Sequence, residues 1–153
     1  MKKITSFTVN HNILEKGIYI SRIDGDIVTY DIRMKKPNHS DYLGNGELHT
    51  TEHLFATFAR NSEFSDSVIY VGPMGCRTGF YLLLRDNISH QQAVGLVRDS
   101  FRFIADFEGE IPGSKKEECG NYLEHDLAGA KKTAKDMLNV LENYSEKNLN
   151  YKE

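Results

Sequence analysis

Alternation of apolar and polar residues predicts a first pair of strands. The segment GIYISRIDGDIVTYDIRM alternates on both sides of Asp24-Gly25, a dipeptide that favours tight turns. This pattern is typical of a β-hairpin over about residues 18 to 34. A hairpin implies antiparallel pairing, since two strands joined by a short turn run in opposite directions.

A second pair of strands is predicted downstream by SVIYVGPMGCRTGFYLLLRD. Its β-rich runs cover about residues 67 to 72 and 78 to 85, and they are broken by Gly72-Pro73 and Gly75. Proline is poorly tolerated in a central strand because it cannot donate a backbone hydrogen bond. We therefore expect a loop or bulge between the two runs, and that loop carries Cys76.

Helical spacing of apolar side chains predicts three helices. The first ends near Asn61, and the second covers about residues 90 to 107 behind a capping box formed by Ser89 and Gln92. The third follows the apolar face from Leu127 to Tyr144, and the tail EKNLNYKE is predicted to fray. The fold class is therefore α+β, a single domain over residues 1–153 in which an antiparallel sheet packs against helices.

Composition and charge exclude several classes of partner. The chain has 153 residues, a net charge of −3 and 39% hydrophobic residues, which is enough for a real core but gives no positive field for nucleic acid or anionic lipid. No apolar run has the length of a signal peptide or of a membrane span of about 20 residues. We predict a soluble cytoplasmic protein in which the two cysteines, Cys76 and Cys119, are reduced.

The stretch ELHTTEHLFATFAR places three polar groups near the start of the first helix. His49 and His53 are four residues apart, so their side chains lie next to each other on one helix face and can bind one metal ion. Glu52 stands beside them as an acid/base group, and the order H-x-x-E-H is that of the inverzincin signature. The alternative is a solvated helix face, but the intervening glutamate favours a metal site.

A metal site needs at least one more ligand, and sequence spacing alone leaves this choice open. The side chains that remain are several carboxylates and six residues with nitrogen or sulfur donors: Cys76, Cys119, His11, His39, His90 and His125. A lone cysteine is more often a small buried hydrophobe than a ligand, so neither thiol is selected by its residue type.

Five segments together resemble one known family. SFTVNHN, YDIRM, HTTEHLFATFAR, GPMGCRTGFYL and CGNYLEHDLAGAK occur in the order and approximate spacing of S-ribosylhomocysteine lyase, the LuxS family, and the resemblance covers nearly the whole chain. It implies a homodimeric α+β domain with active sites at the subunit interface. It also implies a metal-dependent carbon–sulfur lyase that converts S-ribosylhomocysteine to homocysteine and 4,5-dihydroxy-2,3-pentanedione, the autoinducer-2 precursor of quorum sensing.

The resemblance also assigns roles to nine residues. It implies that Fe²⁺, often replaced by Zn²⁺ or Co²⁺ in purified protein, is bound once per subunit by three ligands: His49, His53 and Cys119. Glu52 and Cys76 match the two acid/base groups. Four further positions match residues that contact the substrate: Ser6, His11, Arg33 and Arg60. On their own, Arg33 and His11 would suggest only a surface ion pair and a solvated histidine.

The chain departs from the family pattern next to Cys76. The family usually has an aspartate and then a serine ahead of Pro-Met-Gly-Cys, where this chain has Tyr70 and Gly72. If that aspartate holds the homocysteine ammonium group, another residue must do so here. Thr51 also replaces a residue that is usually apolar.

Two other functions are consistent with parts of the sequence. One is an H-x-x-E-H metallopeptidase in which a downstream glutamate such as Glu118 is the third ligand, although the chain is short for a peptidase and this leaves both cysteines without a role. The other is a non-enzymatic metal-binding or small-molecule sensor domain with a degenerate pocket, which Tyr70 favours. Release of thiol from S-ribosylhomocysteine distinguishes the lyase from both.

Overall fold

A four-stranded antiparallel sheet forms one layer of the computed structural model, which describes residues 1–153. The strands are β1 (Gly17–Asp24), β2 (Ile27–Arg33), β3 (Val68–Pro73) and β4 (Gly79–Arg85). Their order in the sheet is β1-β2-β4-β3, so β1 and β3 are the edge strands. Both predicted strand pairs are confirmed, and residues 74–78 form the predicted loop that carries Cys76.

Three helices form the second layer, namely α1 (Asn45–Asn61), α2 (His90–Asp106) and α3 (Leu127–Val140). Short 3-10 helices occur at Thr5–Phe7, Ser65–Ser67 and Glu146–Asn148. The predicted α+β class is confirmed, as is the capping box in front of α2. None of the helices combines the length and apolar character that crossing a membrane requires.

The two faces of the sheet have different environments, as β2 shows. Val28, Tyr30 and Ile32 belong to the hydrophobic core beneath the helices. Side chains alternate between faces along a strand, so Asp31 and Arg33 lie on the opposite face, where they are nevertheless buried. Each large core side chain contributes about 1.5–3 kcal/mol by burial, which fixes the register of the strands against the helices.

The third helix ends earlier than predicted. Its last residue is Val140, and the apolar face continues through a turn that contains Leu141 and Tyr144. Arg98 of α2 donates hydrogen bonds to the carbonyl oxygens of Leu141 at 2.9 Å and Tyr144 at 2.7 Å. These bonds satisfy carbonyl groups that a longer helix would have satisfied internally. The apolar spacing therefore overestimated the length of the helix.

The prediction that the tail frays is wrong. The backbone N–H of Ile20 donates to the carbonyl of Leu149 at 2.8 Å, and the Leu149 side chain is 1% exposed. Beyond it, the ring of Tyr151 stacks on that of Tyr19 with centroids 4.9 Å apart. The tail is ordered by contacts with β1, which is more than 100 residues away and therefore invisible to a local pattern.

Candidate metal centre and active site

Helix α1 places His49 and His53 one turn apart, with ring centroids separated by 4.6 Å. The start of the helix is held by Glu47, which accepts a hydrogen bond from the backbone N–H of Gly44 at 2.5 Å. The other oxygen of Glu47 accepts from the hydroxyl of Thr133 on α3 at 2.8 Å. The turn that carries the histidines is therefore fixed to a neighbouring helix.

The irregular segment 107–126 supplies the cysteine that faces these histidines. The Sγ atom of Cys119 lies 3.3 Å from Nε2 of His49 and 4.0 Å from Nε2 of His53. With His125, these side chains offer four ligand atoms within 4.8 Å of one another. A set of imidazole nitrogens and a thiolate suits Fe²⁺ and Zn²⁺, so the residues fit the metal that the sequence suggested.

Two backbone carbonyls orient the histidine rings. Nδ1 of His49 lies 2.8 Å from the carbonyl oxygen of Glu124, and Nδ1 of His53 lies 2.8 Å from that of Pro112. A carbonyl oxygen only accepts, so each Nδ1 carries the hydrogen, and in the neutral ring the free lone pair is on Nε2. The Nε2 atoms are the nitrogens that face Cys119. This tautomer, with its hydrogen on Nδ1, leaves Nε2 free to bind a metal ion.

A glycine permits the close approach of the loop to His53. Gly113 has a φ of +71°, and a Cβ atom there would lie 3.2 Å from Nδ1 of His53. Side chains other than hydrogen are disfavoured both by this left-handed backbone and by the short distance. Gly113 thus lets Pro112 present its carbonyl to the histidine ring.

His125 is the fourth member of the cluster. Its ring stacks on that of His49 at 4.0 Å, and its Nδ1 lies 3.0 Å from the hydroxyl oxygen of Thr50. The same hydroxyl accepts the backbone N–H of Asp126 at 2.9 Å, which ties this segment to α1. Nε2 of His125 is buried without a hydrogen-bond partner. Burial, and then the neighbouring histidines, lower the pKa of His125.

The other side chains considered as third ligands lie outside this cluster. His11 and His39 each direct Nδ1 at a backbone carbonyl two residues earlier, and His90 bonds to a tyrosine hydroxyl of the core. Glu118 accepts a backbone N–H of its own turn at 3.2 Å. The glutamate that a metallopeptidase would need as a ligand is therefore absent from the cluster.

A second group of polar side chains surrounds Cys76 where β2 ends and β4 begins. The exposed thiol of Cys76 lies 3.0 Å from the hydroxyl oxygen of Thr78, which accepts a hydrogen bond from Arg33 at 2.8 Å. Arg33 also donates twice to Asp31, at 2.7 and 3.1 Å. No sequence motif marks Asp31 or Thr78 as a site residue, although alternation places Asp31 and Arg33 on one face of β2.

Arg33 belongs to a buried ion pair, so the suggestion of a surface pair is wrong. The side chains of Arg33 and Asp31 are 3% and 2% exposed. Removing one partner of such a pair typically costs about 3–5 kcal/mol, because the other charge is left buried and uncompensated. Five N–H groups belong to a guanidinium, and the structure uses three of them, so two remain for a ligand beside Cys76.

The remaining predicted site residues are distributed over the surface of the chain. Glu52 is half-buried on α1 and takes part in none of the ion pairs. Ser6 lines a groove of about 630 Å³ on the face of the sheet opposite the helices, together with Tyr70. Arg60 donates to the carbonyl of Ile69 at 3.1 Å. The structure brings Arg33 to Cys76 but leaves these three residues outside both clusters.

The two departures next to Cys76 are coupled in the structure. The ring of Tyr70 lies across Gly72 on edge strand β3, and a Cβ atom at Gly72 would overlap that ring. The Tyr70 ring can take this position only because residue 72 is glycine. An aromatic ring that covers a glycine in this way is a known feature of sheet edges. The pair replaces an acidic and a hydroxyl group with one half-exposed aromatic surface.

We expect the double-mutant cycle of Tyr70→Ala and Gly72→Ala to be non-additive. Gly72→Ala alone should lower the free energy of unfolding by about 1 kcal/mol, since the new methyl group displaces the ring. In the Tyr70→Ala background this cost should shrink by at least about 0.5 kcal/mol. Urea unfolding at one protein concentration measures the free energy of unfolding of the wild type, both single variants and the double variant. Additive effects within error would contradict the coupling.

Comparisons with known proteins identify one family. The family model described as S-Ribosylhomocysteinase (LuxS) matches residues 4–148. A protein of Phocaeicola vulgatus named S-ribosylhomocysteine lyase is 52% identical over 157 residues, which cover 99% of this chain and 98% of that protein.

Other relatives with the same name have similar coverage. The protein of Clostridium acetobutylicum is 49% identical over 158 residues and covers 100% of both chains. That of Borreliella afzelii is 45% identical over 156 residues and covers 99% of both. With the family model matched over almost the whole length and these identities, the chain belongs to the S-ribosylhomocysteinase (LuxS) family.

Proposed function

We propose that the chain is an S-ribosylhomocysteine lyase, which cleaves its substrate to homocysteine and 4,5-dihydroxy-2,3-pentanedione. The observation that carries this proposal is the convergence of two imidazole Nε2 atoms and one thiol, with both Nδ1 atoms held by backbone carbonyls. The family relatives bear the name of this activity. An acid/base residue is adjacent to one of the ligating histidines.

The proposed ligands of the metal are His49, His53 and Cys119, and the proposed ion is Fe²⁺, which Zn²⁺ or Co²⁺ can replace. Catalytic metal sites commonly use three protein ligands and keep one position open. A divalent cation held there supplies Lewis-acid stabilisation of negative charge on a sugar oxygen. In this arrangement His125 packs against His49 and supports its orientation.

The proposed reaction must first make an unreactive thioether eliminable. The sugar carbonyl must move from C1 to C2 and then to C3. C4 then lies between the C3 ketone and C5, the carbon that bears sulfur, so its hydrogen is acidic and is placed for β-elimination. Loss of the C4 proton then forms a carbon–carbon double bond while the C5–S bond breaks, and sulfur leaves with its electron pair as homocysteine. The protein must therefore remove and return protons at several positions in turn.

Glu52 and Cys76 are the proposed proton-transfer groups. Glu52 follows His49 by three residues on α1 and is free of ion pairs, so its carboxylate is available to a substrate oxygen or carbon. The Cys76 thiol is exposed and faces a hydroxyl group and a guanidinium group, both of which can stabilise a thiolate. Thiolate is the form that removes a proton.

Ser6, His11, Arg33 and Arg60 are the proposed contacts to the substrate. Arg33 has the strongest structural support, because two of its N–H groups remain unused beside Cys76. In this proposal Tyr70 leaves the homocysteine ammonium group without the usual aspartate. Asp24 lines the same groove as Ser6 and Tyr70, but both of its oxygens accept hydrogen bonds from Arg22, so it would have to leave that pair to bind the ammonium group.

The proposed assembly is a homodimer. The face of the sheet opposite the helices carries a groove lined by apolar side chains of β2 and β4, among them Ile27 and Leu83, and by residues near the N-terminus such as Ile4. Apolar surface of this kind on a sheet commonly becomes buried in an interface. A second copy of the chain against this face would bring its own residues to the groove that contains Ser6.

The proposal predicts that anaerobically purified, metal-quantified protein releases homocysteine from S-ribosylhomocysteine. Glu52→Gln keeps the size of the side chain and removes its acid/base function, so turnover should fall by about 10²–10⁴-fold with metal content unchanged. A thiol-reactive dye follows the product. Absence of thiol release from fully iron-loaded wild-type protein would overturn the proposal, and full activity of Glu52→Gln would remove Glu52 from it.

A further inference from the structure

A chain of hydrogen bonds links Tyr151 in the C-terminal segment to the thiol of Cys76. The hydroxyl of Tyr151 donates to Asp31 at 2.6 Å, and Asp31 receives two hydrogen bonds from Arg33. Arg33 donates to the hydroxyl of Thr78, whose oxygen lies 3.0 Å from Sγ of Cys76. Five side chains, all of them outside the metal cluster, are thus connected in sequence.

The chemistry of the groups fixes the direction of the hydrogen bonds that Arg33 and Asp31 make. A guanidinium only donates, so the Thr78 oxygen accepts from Arg33. Either the hydroxyl or the thiol can donate between Thr78 and Cys76, but a Cys76 thiolate only accepts and would take the hydroxyl hydrogen. Asp31 accepts hydrogen bonds only from Arg33 and Tyr151. Burial, and then the charge of Asp31, raise the pKa of Tyr151, so its hydroxyl stays protonated and remains a donor.

Arg33 is the charged group of this chain that acts most directly on Cys76. Tyr81 also interacts electrostatically with Cys76, but burial raises the pKa of Tyr81, so its hydroxyl stays neutral. The negative charge of Asp31 partly cancels the positive charge of Arg33. The cancellation is smaller when another hydrogen-bond donor shares the negative charge of Asp31. That donor is the hydroxyl of Tyr151.

We propose that Tyr151 is a positioning residue that acts through Asp31 and Arg33 on the reactivity of Cys76. This inference rests on the proposed role of Cys76 in proton transfer. Without the Tyr151 hydroxyl, the buried carboxylate has Arg33 as its only partner. The guanidinium is then drawn towards Asp31, its bond to Thr78 weakens, and the positive field at Cys76 decreases.

The variant Tyr151→Phe tests this proposal, because it keeps the ring that stacks on Tyr19 and removes only the hydroxyl. Tyr19→Phe is the matched control: it removes a hydroxyl from the same stacked pair, but one that donates to the backbone carbonyl of Glu15 at 3.0 Å. Thermal unfolding of both variants establishes that each is folded.

The readout is the ratio of Cys76 alkylation rates with iodoacetate and with iodoacetamide. The first reagent is an anion and the second is neutral, so the ratio reports the positive field of Arg33 and does not depend on stability. Mass analysis of the peptide that contains Cys76 separates its labelling from that of Cys119. In metal-loaded protein we expect the ratio to fall about threefold in Tyr151→Phe and to stay unchanged in Tyr19→Phe.

Turnover provides the second readout. We expect kcat/KM of Tyr151→Phe to fall about tenfold, because a displaced Arg33 weakens both the support of the thiol and its own proposed contact with the substrate. An alkylation ratio equal to that of wild type would overturn the proposal. If wild-type protein releases no homocysteine, the proposed function fails, whereas a lowered ratio in Tyr151→Phe would still support the coupling to Cys76.

Discussion

Replacing Cys119 with alanine is expected to abolish stable metal binding. The thiol is the group on which Nε2 of His49 and Nε2 of His53 converge, at 3.3 and 4.0 Å. Loss of an outer-shell partner already lowers metal affinity by about 10–100-fold, so loss of a direct ligand should exceed about 100-fold. Metal content after dialysis against a chelator measures this, and lyase activity should disappear with the metal.

Two further variants make this experiment specific. Cys76→Ala removes the other thiol of the chain and should retain wild-type metal content, which controls for a general effect of cysteine loss. His125→Ala removes the ring that stacks on His49. A loss of metal as large as that in Cys119→Ala would make His125 a ligand. Full metal occupancy in Cys119→Ala would exclude the thiol from the ligand set.

Much of the fold was predictable because its signals are local. Alternation identified the first two strands and β-rich runs the other two, apolar spacing identified the three helices, and Ser89 with Gln92 marked the start of α2. The spacing of His49 and His53 likewise placed both rings on one side of α1. Each of these inferences depends on residues within one or two turns or one hairpin, where geometry follows directly from spacing.

The rest of the candidate site depends on contacts between distant parts of the chain. The carbonyls of Pro112 and Glu124 that orient the histidines have no side-chain signature, and their partners are 59 and 75 residues away. Tyr151 lies in a segment that its polar composition predicted to fray, yet it bonds to a residue 120 positions earlier. Sequence patterns predict elements, and these bonds arise only once the elements have packed.

The alternation in β2 was an available signal for the group around Cys76. Asp31 and Arg33 are two residues apart, so they share a face of the strand, and opposite charges on one face commonly pair. What the sequence could not supply was the burial of this pair, because the covering residues come from distant segments such as that of Tyr151. Burial makes the pair a fixed support for Cys76, since breaking it carries a large free-energy cost.

Replacing Cys76 with alanine is expected to lower kcat by about 10²–10⁴-fold while the metal content stays that of wild type. The thiol is exposed and its one hydrogen-bond partner is the hydroxyl of Thr78, so the variant should fold with little change in unfolding free energy. Steady-state kinetics of homocysteine release, with metal quantified in the same sample, measures the effect.

Both cysteine variants should therefore lose turnover, but only Cys119→Ala should also lose metal, and this difference separates the two halves of the proposed site. Cys119→Ala should lose both metal and turnover, and added metal in excess should restore at most part of each. Cys76→Ala should bind metal normally and remain inactive at any metal concentration, because the missing group transfers protons. Full turnover by Cys76→Ala would show that proton transfer does not need the thiol. The hydrogen-bond chain from Tyr151 through Arg33 would then support a residue with no part in catalysis.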